Sequence, residues 1–138
     1  MAAFVFKNGF LTVNGVDLSD HVLSMTLNYS AELQDQTAMG DATRRRLPGL
    51  KDWSLEVQFK QDFDSGSVDA TMFDLVGAAA FPIRVRADQD AAISDTNPEF
   101  QGNGLLESYP PLAGQVGSLA TVQCTIQGDG TMTRDVIA

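Results

Sequence analysis

The sequence predicts a mainly β protein, an antiparallel β-sandwich or partly closed barrel of about six to eight strands with one flanking α-helix. Apolar and polar residues alternate with period two in several separate segments, the signature of strands with one buried and one wet face. Glycine, proline and asparagine punctuate those segments, and a single stretch carries apolar residues at helical spacing. At 138 residues the chain fits one domain, 1–138, large enough for a single core.

Residues 10–18 read as a strand, an Asn14-Gly15 turn and a second strand, because Asn-Gly supplies the positive φ values of a tight hairpin. Leu23, Met25, Leu27 and Tyr29 alternate with Ser24, Thr26 and Asn28, giving a long half-buried strand. The same alternation sets Trp53, Leu55, Val57 and Phe59 against Ser54, Glu56, Gln58 and Lys60. Together these suit an antiparallel sheet with one solvated side. Between them, residues from about 32 to 50 include GDATRRRLPG and predict a long projecting loop or hairpin. Connections of that length are uncommon in compact domains and tend to be functional, so this segment is a candidate contact arm.

Ser67 is placed to cap a short helix over 68–76, with Val68, Met72, Leu75 and Val76 on one side, Asp69 favouring the dipole and Gly77 ending it. Phe81, Ile83, Val85 and Ala87 alternate in a further strand, where Pro82 suggests an edge position. The region ADQDAAISDTNPEF reads as an exposed acidic loop. A strand over 100–109 follows, interrupted by Gly102 and Gly104 and stopped by Pro110 and Pro111. Residues 119–127 alternate again, and the Gly128-Asp129-Gly130 turn leads to a last strand over 131–137.

The charge balance is acidic, 18 Asp and Glu against 9 Lys and Arg, a net charge of −9. Tight nucleic-acid binding comes from neutralising phosphates, so this balance argues against a DNA reader. No apolar run approaches the roughly 20 residues of a membrane-spanning helix, and the N-terminus has no basic region followed by a long apolar stretch. The expectation is no membrane association and no cleaved signal. Cys124, the single cysteine, falls in the series Ala120, Val122, Cys124, Ile126 and reads as an inert core thiol.

No catalytic pattern emerges. The one histidine, His21, follows Ser19 and Asp20 in a turn, where neighbouring side chains rarely align as nucleophile, base and orienter; a capping or solvent role is expected. One histidine and one buried cysteine do not make a zinc site. Asp88, Asp90, Asp95 and Glu99 carry hard oxygen ligands, but their spacing lacks the glycine of a calcium loop. Phosphate-binding and dinucleotide-binding glycine patterns are absent from the sequence. No enzymatic activity and no cofactor are therefore expected. The concentrated positive feature is Arg44-Arg45-Arg46, suited to pairing with carboxylates on a neighbouring copy in a head-to-tail contact that propagates.

The string LTVNGVDLSDHVLSMTLNYSAELQDQTAMGDATRRRLPGLKDWSLEVQFKQDF resembles the N-terminal half of siphophage tail tube proteins, and SGSVDATMFDLVG and LATVQCTIQGDGTMTR continue the likeness. That resemblance implies the phage tail-tube fold, hexameric rings stacking into a hollow tube, and passage of genomic DNA through the lumen without specific binding. It also implies tape-measure and other tail proteins as partners, and a place in the virion after assembly in the host bacterial cytoplasm. Met39, Gly40, Asp41, Thr43, Arg44, Arg45, Arg46, Leu47 and Pro48 become the candidate inter-ring contact loop. Ser24, Thr26, Asn28, Glu56 and Gln58 become candidate lumen-facing residues. A tail terminator, a related secretion-tube subunit, and a monomeric sandwich recognising a glycan or receptor are the competing readings.

Overall fold

In a computed structural model, which describes residues 9–89, 92–94 and 97–136, the chain forms eight strands and one short helix. The strands are β1 (Phe10–Val13), β2 (Val16–Asp17), β3 (Val22–Asp35), β4 (Arg46–Lys60), β5 (Phe81–Arg86), β6 (Glu99–Ser108), β7 (Thr121–Gly128) and β8 (Thr133–Asp135). Helix α1 spans Val68–Met72 and tightens into a 3-10 turn at Phe73–Leu75. All strand pairs are antiparallel, in the order β2-β1-β5-β6-β7-β4-β3, with β8 added to β6.

This is one hydrogen-bonded sheet, bent over its own core. Leu11 and Val13 near one end of the strand order share a buried cluster with Leu55 and Phe59 near the other, which a flat sheet would not allow. The corner is β6, whose first half pairs with β5 and whose second half, from Gly104 on, pairs with β7. The barrel stays open between β3 and the β5–β6 wall, where Met25, Leu27, Val85, Phe100 and Met132 line an apolar cleft of about 300 Å³. The expected partly closed mainly β architecture is thus the one observed.

Local chemistry explains the elements. Asn14 and Gly15 both take positive φ, 51° and 82°, the geometry of the tight turn that their sequence predicts. Trp53, Leu55, Val57 and Phe59 are all buried, and Val122, Cys124 and Ile126 face them from β7. Burial drives the Cys124 thiol pKa up to about 12. In β3 the expected alternation is displaced at its start. A bulge between Val22 and Ser24 makes Leu23 the extra residue, so Val22 packs on the core and Leu23 is exposed.

Four other expectations are corrected. Pro82 does not mark an edge strand, since β5 pairs with β1 and β6. Its carbonyl accepts from the Asn14 N–H, on the side where the β1 ladder has already ended, so the missing proline N–H costs no ladder bond. The helix is shorter than 68–76: Val68, Met72 and Leu75 are buried as expected, but Val76 is exposed and extended ahead of Gly77. Gly102 and Gly104 do not interrupt β6; they make room in it. A Cβ on Gly102 would lie 2.8 Å from Trp53 Cζ2, and one on Gly104 would lie 2.6 Å from Ile126 Cγ2 and 3.0 Å from the Gln127 carbonyl. The last strand is reduced to β8, and Ile137 lies outside the described residues.

Gly104→Ala is expected to lower the unfolding free energy by about 1–3 kcal/mol, the usual cost of overpacking against groups that do not yield. Urea unfolding followed by Trp53 fluorescence measures it, and an unchanged midpoint would contradict the close packing.

Candidate assembly surfaces

The outer face of β3, β4 and β7 is a continuous polar wall. Register places Ser24, Gln58 and Gln123 in one row, Thr26, Glu56 and Thr125 in the next, and Asn28, Ser54 and Gln127 in a third. The five candidate lumen residues therefore sit together on one surface, opposite the core-facing side chains of the same strands. Across those three rows the single charge is Glu56, and Gln127 donates to the adjacent Glu107 at 3.2 Å. No cation occupies these three rows; Lys60, paired with Thr121 in the row beyond Gln58 and Gln123, lies on the same face.

At one end of the wall the sheet narrows to a ribbon. Strand β7 pairs with β4 only from Ser54 to Lys60, whereas β3 and β4 stay paired out to Asp35 and Arg46. At about 3.3 Å per residue the two strands project roughly 25 Å beyond the three-stranded wall. Of the two forms expected for the segment from about 32 to 50, a loop or a hairpin, the structure has the hairpin; Arg46, Leu47 and Pro48 belong to β4, while Met39, Gly40, Asp41, Thr43, Arg44 and Arg45 form the turn. Pro48 is tolerated because it lies beside a bulge on a strand whose second edge has no partner among the described residues, and a Cβ on Gly49 would stand 3.3 Å from the Glu32 carbonyl oxygen. The turn is internally bonded. The Arg45 N–H donates to Thr37 Oγ1, the Ala38 N–H to Asp41 Oδ2, and Arg44 pairs with Asp35 at 2.8 Å. Bonds from Thr37, side chain first, hold the Asp35 pKa below its ordinary value, with Arg44 adding to them. Every side chain from 31 to 50 is exposed, Leu33, Met39, Leu47 and Leu50 among them.

The opposite end of the sheet is stitched by polar contacts that sequence spacing did not reveal. Gln61 Nε2 donates to Tyr109 Oη at 3.0 Å and to the Pro111 carbonyl, its backbone N–H bonds the Ala120 carbonyl, and Tyr109 donates to Asp69 at 2.7 Å. Burial first, then the Asp69 carboxylate, pushes the Tyr109 pKa up to about 12, even though Gln61 opposes them. His21 lies in a 3-10 turn at Ser19–His21, and neither caps a helix nor simply faces solvent. Its Nε2 meets Asp62 Oδ2 at 2.8 Å and Ser67 Oγ at 3.2 Å, tying the turn before β3 to the segment after β4.

The three residue types of a hydrolase relay are therefore adjacent but wrongly connected. A relay needs the carboxylate on one ring nitrogen and the hydroxyl on the other. Here both partners use Nε2, and Nδ1 is buried with no partner among the described residues. Ser67 occupies the position before α1, but its hydroxyl turns to His21 in place of capping the helix. Of the acidic residues Asp88, Asp90, Asp95 and Glu99, Glu99 is buried in β6 and held by Arg86 at 3.2 Å, with Arg86 stacked 4.0 Å from the Phe10 ring. Asn97 bonds the Asp88 carbonyl and closes the loop before β6. Asp90 and Asp95 lie outside the described residues.

No protein-family model matches the chain, and no curated protein matches it by sequence. Solved structures do match its fold. A chain from the virion of a native gene transfer agent particle superposes with a TM-score of 0.74 at 15% identity, over 96% of this chain and 98% of that one. A chain from the sheath/tube terminator of an extracellular contractile injection system in its extended state gives 0.72 at 13% identity, over 98% of each. One from the tail of an empty gene transfer agent particle, refined helically with C6 symmetry, gives 0.65 at 14% identity over 82% of this chain and 81% of that one. The protein thus has a tail-tube-like fold.

The His21 node makes stability depend on acid. Asp62 is held below its ordinary pKa by the Asp64 N–H, then by Ser67 and His21. A carboxylate favoured in the folded state contributes fully above its unfolded value near 3.8 and loses that contribution as pH falls through the lower folded value. Asp62→Asn is expected to flatten the acid side of a plot of urea midpoint against pH. An identical slope in both proteins would show that the node contributes nothing.

Proposed function

We propose that this chain is a structural subunit without catalytic activity, which associates with its own copies into rings that stack as a tail-type tube. The observation that carries this reading is the uncovered ribbon. An isolated two-stranded hairpin is marginal in water, and one that exposes Leu33, Met39, Leu47 and Leu50 gains stability only when another surface covers it. The free edge of β3, fourteen residues long, is a second surface awaiting a partner. In a ring, edges of this kind are paired between neighbours, and closure around an axis removes the hazard of an open sheet.

In this reading the wall bearing Ser24, Thr26, Asn28, Glu56 and Gln58 faces the lumen. Its three central rows carry no cation and Lys60 stands only in the row beyond them, which with the net charge of −9 suits a conduit that genomic DNA traverses without binding. Residues 39–48 at the ribbon end make the inter-ring contact. The C6 symmetry of the gene transfer agent tail supports six subunits per ring. Tape-measure and other tail proteins are the further partners, and the phage virion, assembled in the bacterial cytoplasm, is the location. The match to a chain of a sheath/tube terminator assembly supports a second reading, a single ring closing a tube end.

Negative-stain electron microscopy of the purified protein at rising concentration tests the proposal, beside a variant with Arg44, Arg45 and Arg46 changed to serine. Hollow tubes are expected from the parent, and separate rings or monomers from the variant. Single rings from the parent would favour the terminator, and a monomer at every concentration, salt and seeding condition would overturn self-assembly.

A further inference from the structure

We infer that the sheet end opposite the ribbon is the socket that receives the ribbon of the next copy; this rests on the tube reading and adds its receiving surface. The β3–β4 register fixes the relation between the two ends. Asp35 and Arg46 pair at one extreme and Val22 and Phe59 at the other, after which the chain runs directly into residues 61–76. A translation along these strands therefore brings the ribbon of one copy to the 61–76 end of the next. Such a contact is heterologous and propagates without a natural stop.

Three properties make that end fit this occupant. It is apolar where the ribbon is apolar: Phe63, Phe73 and Leu112 are exposed by 60%, 62% and 82% on one side, as are Met39, Leu47 and Leu50 on the other. It is acidic where the ribbon is basic. Residues 61–83 contain Asp62, Asp64, Asp69 and Asp74 and no lysine or arginine, and residues 105–120 add Glu107 and again no cation. The outer part of the ribbon, residues 35–46, instead supplies Arg44, Arg45 and Arg46 against Asp35 and Asp41, and of these arginines Arg44 alone has an ion-pair partner among the described residues, Asp35. The end is also held in shape before anything binds, since Gln61, Tyr109 and Asp69 lock the segments on either side to each other. Preorganisation of that kind lowers the ordering cost of association.

Charge reversal separates the socket from the tube reading. Arg44→Glu with Arg45→Glu, and separately Asp64→Lys with Asp74→Lys, are each expected to raise the concentration needed for tube growth by about tenfold or more, since like charges then face each other. All four changes in one chain swap the two sides and are expected to restore growth to near the parent value. In parallel, Met39→Cys and Phe63→Cys in one chain are expected to form disulfide-linked ladders on oxidation of assembled tubes; the native Cys124 is buried and does not compete. Parent tubes with neither rescue nor ladders, from variants whose circular dichroism is unchanged, overturn the socket and leave the tube reading standing. A parent that forms no stacked assembly overturns both, and ladders in which a different tail protein replaces the second copy overturn the socket.

Discussion

The whole arrangement depends on where one indole can fit. Trp53 lies on β4 at the point where the three-stranded wall gives way to the ribbon, and it occupies space that Gly102, Gly104 and Gly128 leave open. A Cβ at Gly128 would stand 2.5 Å from its Nε1, and one at Gly104 would stand 3.3 Å from its Cη2. Gly104 is also the residue at which β6 changes partner from β5 to β7. The large side chain and the missing ones are thus one device. The indole fills the inside of the bend, the glycines let β6 and β7 close over it, and the two halves of the sheet come to share a core. Close packing makes such a site intolerant of even one added methyl group.

From that anchor the molecule divides into a part that satisfies itself and a part that does not. Below Trp53, β4 has partners on both sides and buries Leu55, Val57 and Phe59. Above it, β4 has β3 alone, and the side chains of both strands are open to water. A long ladder of backbone hydrogen bonds contributes little net stability without covered side chains, because water serves the same groups when the strands separate. The internally bonded turn, with Arg45 to Thr37 and Arg44 to Asp35, keeps the ribbon a hairpin while it is uncovered. Packing is left for another molecule to supply.

That division decides how much was legible in the sequence. Where a face is buried, the alternation is clean: Trp53 to Phe59 and Val122 to Ile126 could be placed with their inward residues named, and the Asn14-Gly15 turn announced itself. Where no face is buried, selection for alternation lapses, and residues from about 32 to 50 carry no period that decides between loop and hairpin, although their two arms are strand. Leu23 misled for a related reason: a bulge passes its inward place to Val22, and a period of two does not register an inserted residue. The Gln61–Tyr109–Asp69 stitch and the His21–Asp62–Ser67 node are made by bonds between residues forty or more positions apart, and no local pattern encodes them. That Ser24, Thr26 and Asn28 share a face was legible because strand alternation alone puts them there, and register then adds Glu56 and Gln58 beside them.

The two ends of the strand order are unequal, and their difference bears on association. At one end the sheet stops at β2, two residues long, too short to template another strand. At the other it stops at β3, which runs for fourteen residues with no proline and no lysine. Natural sheets blunt a long edge with such residues, with inward charges or with a covering segment. In β3 the ten residues from Val22 to Ala31 carry no charge at all, and the acidic residues appear only out on the ribbon. A monomer selected to stay single would gain from a lysine at Ser24, Thr26 or Asn28, since none of these side chains is needed by the core. The same lysines would add cations to a polar wall whose β4 strand already carries Lys60. One uncharged run, Val22 to Ala31, thus gives β3 both its unblunted edge and its part of a polar wall on which Glu56 and Lys60 are the charges of β4.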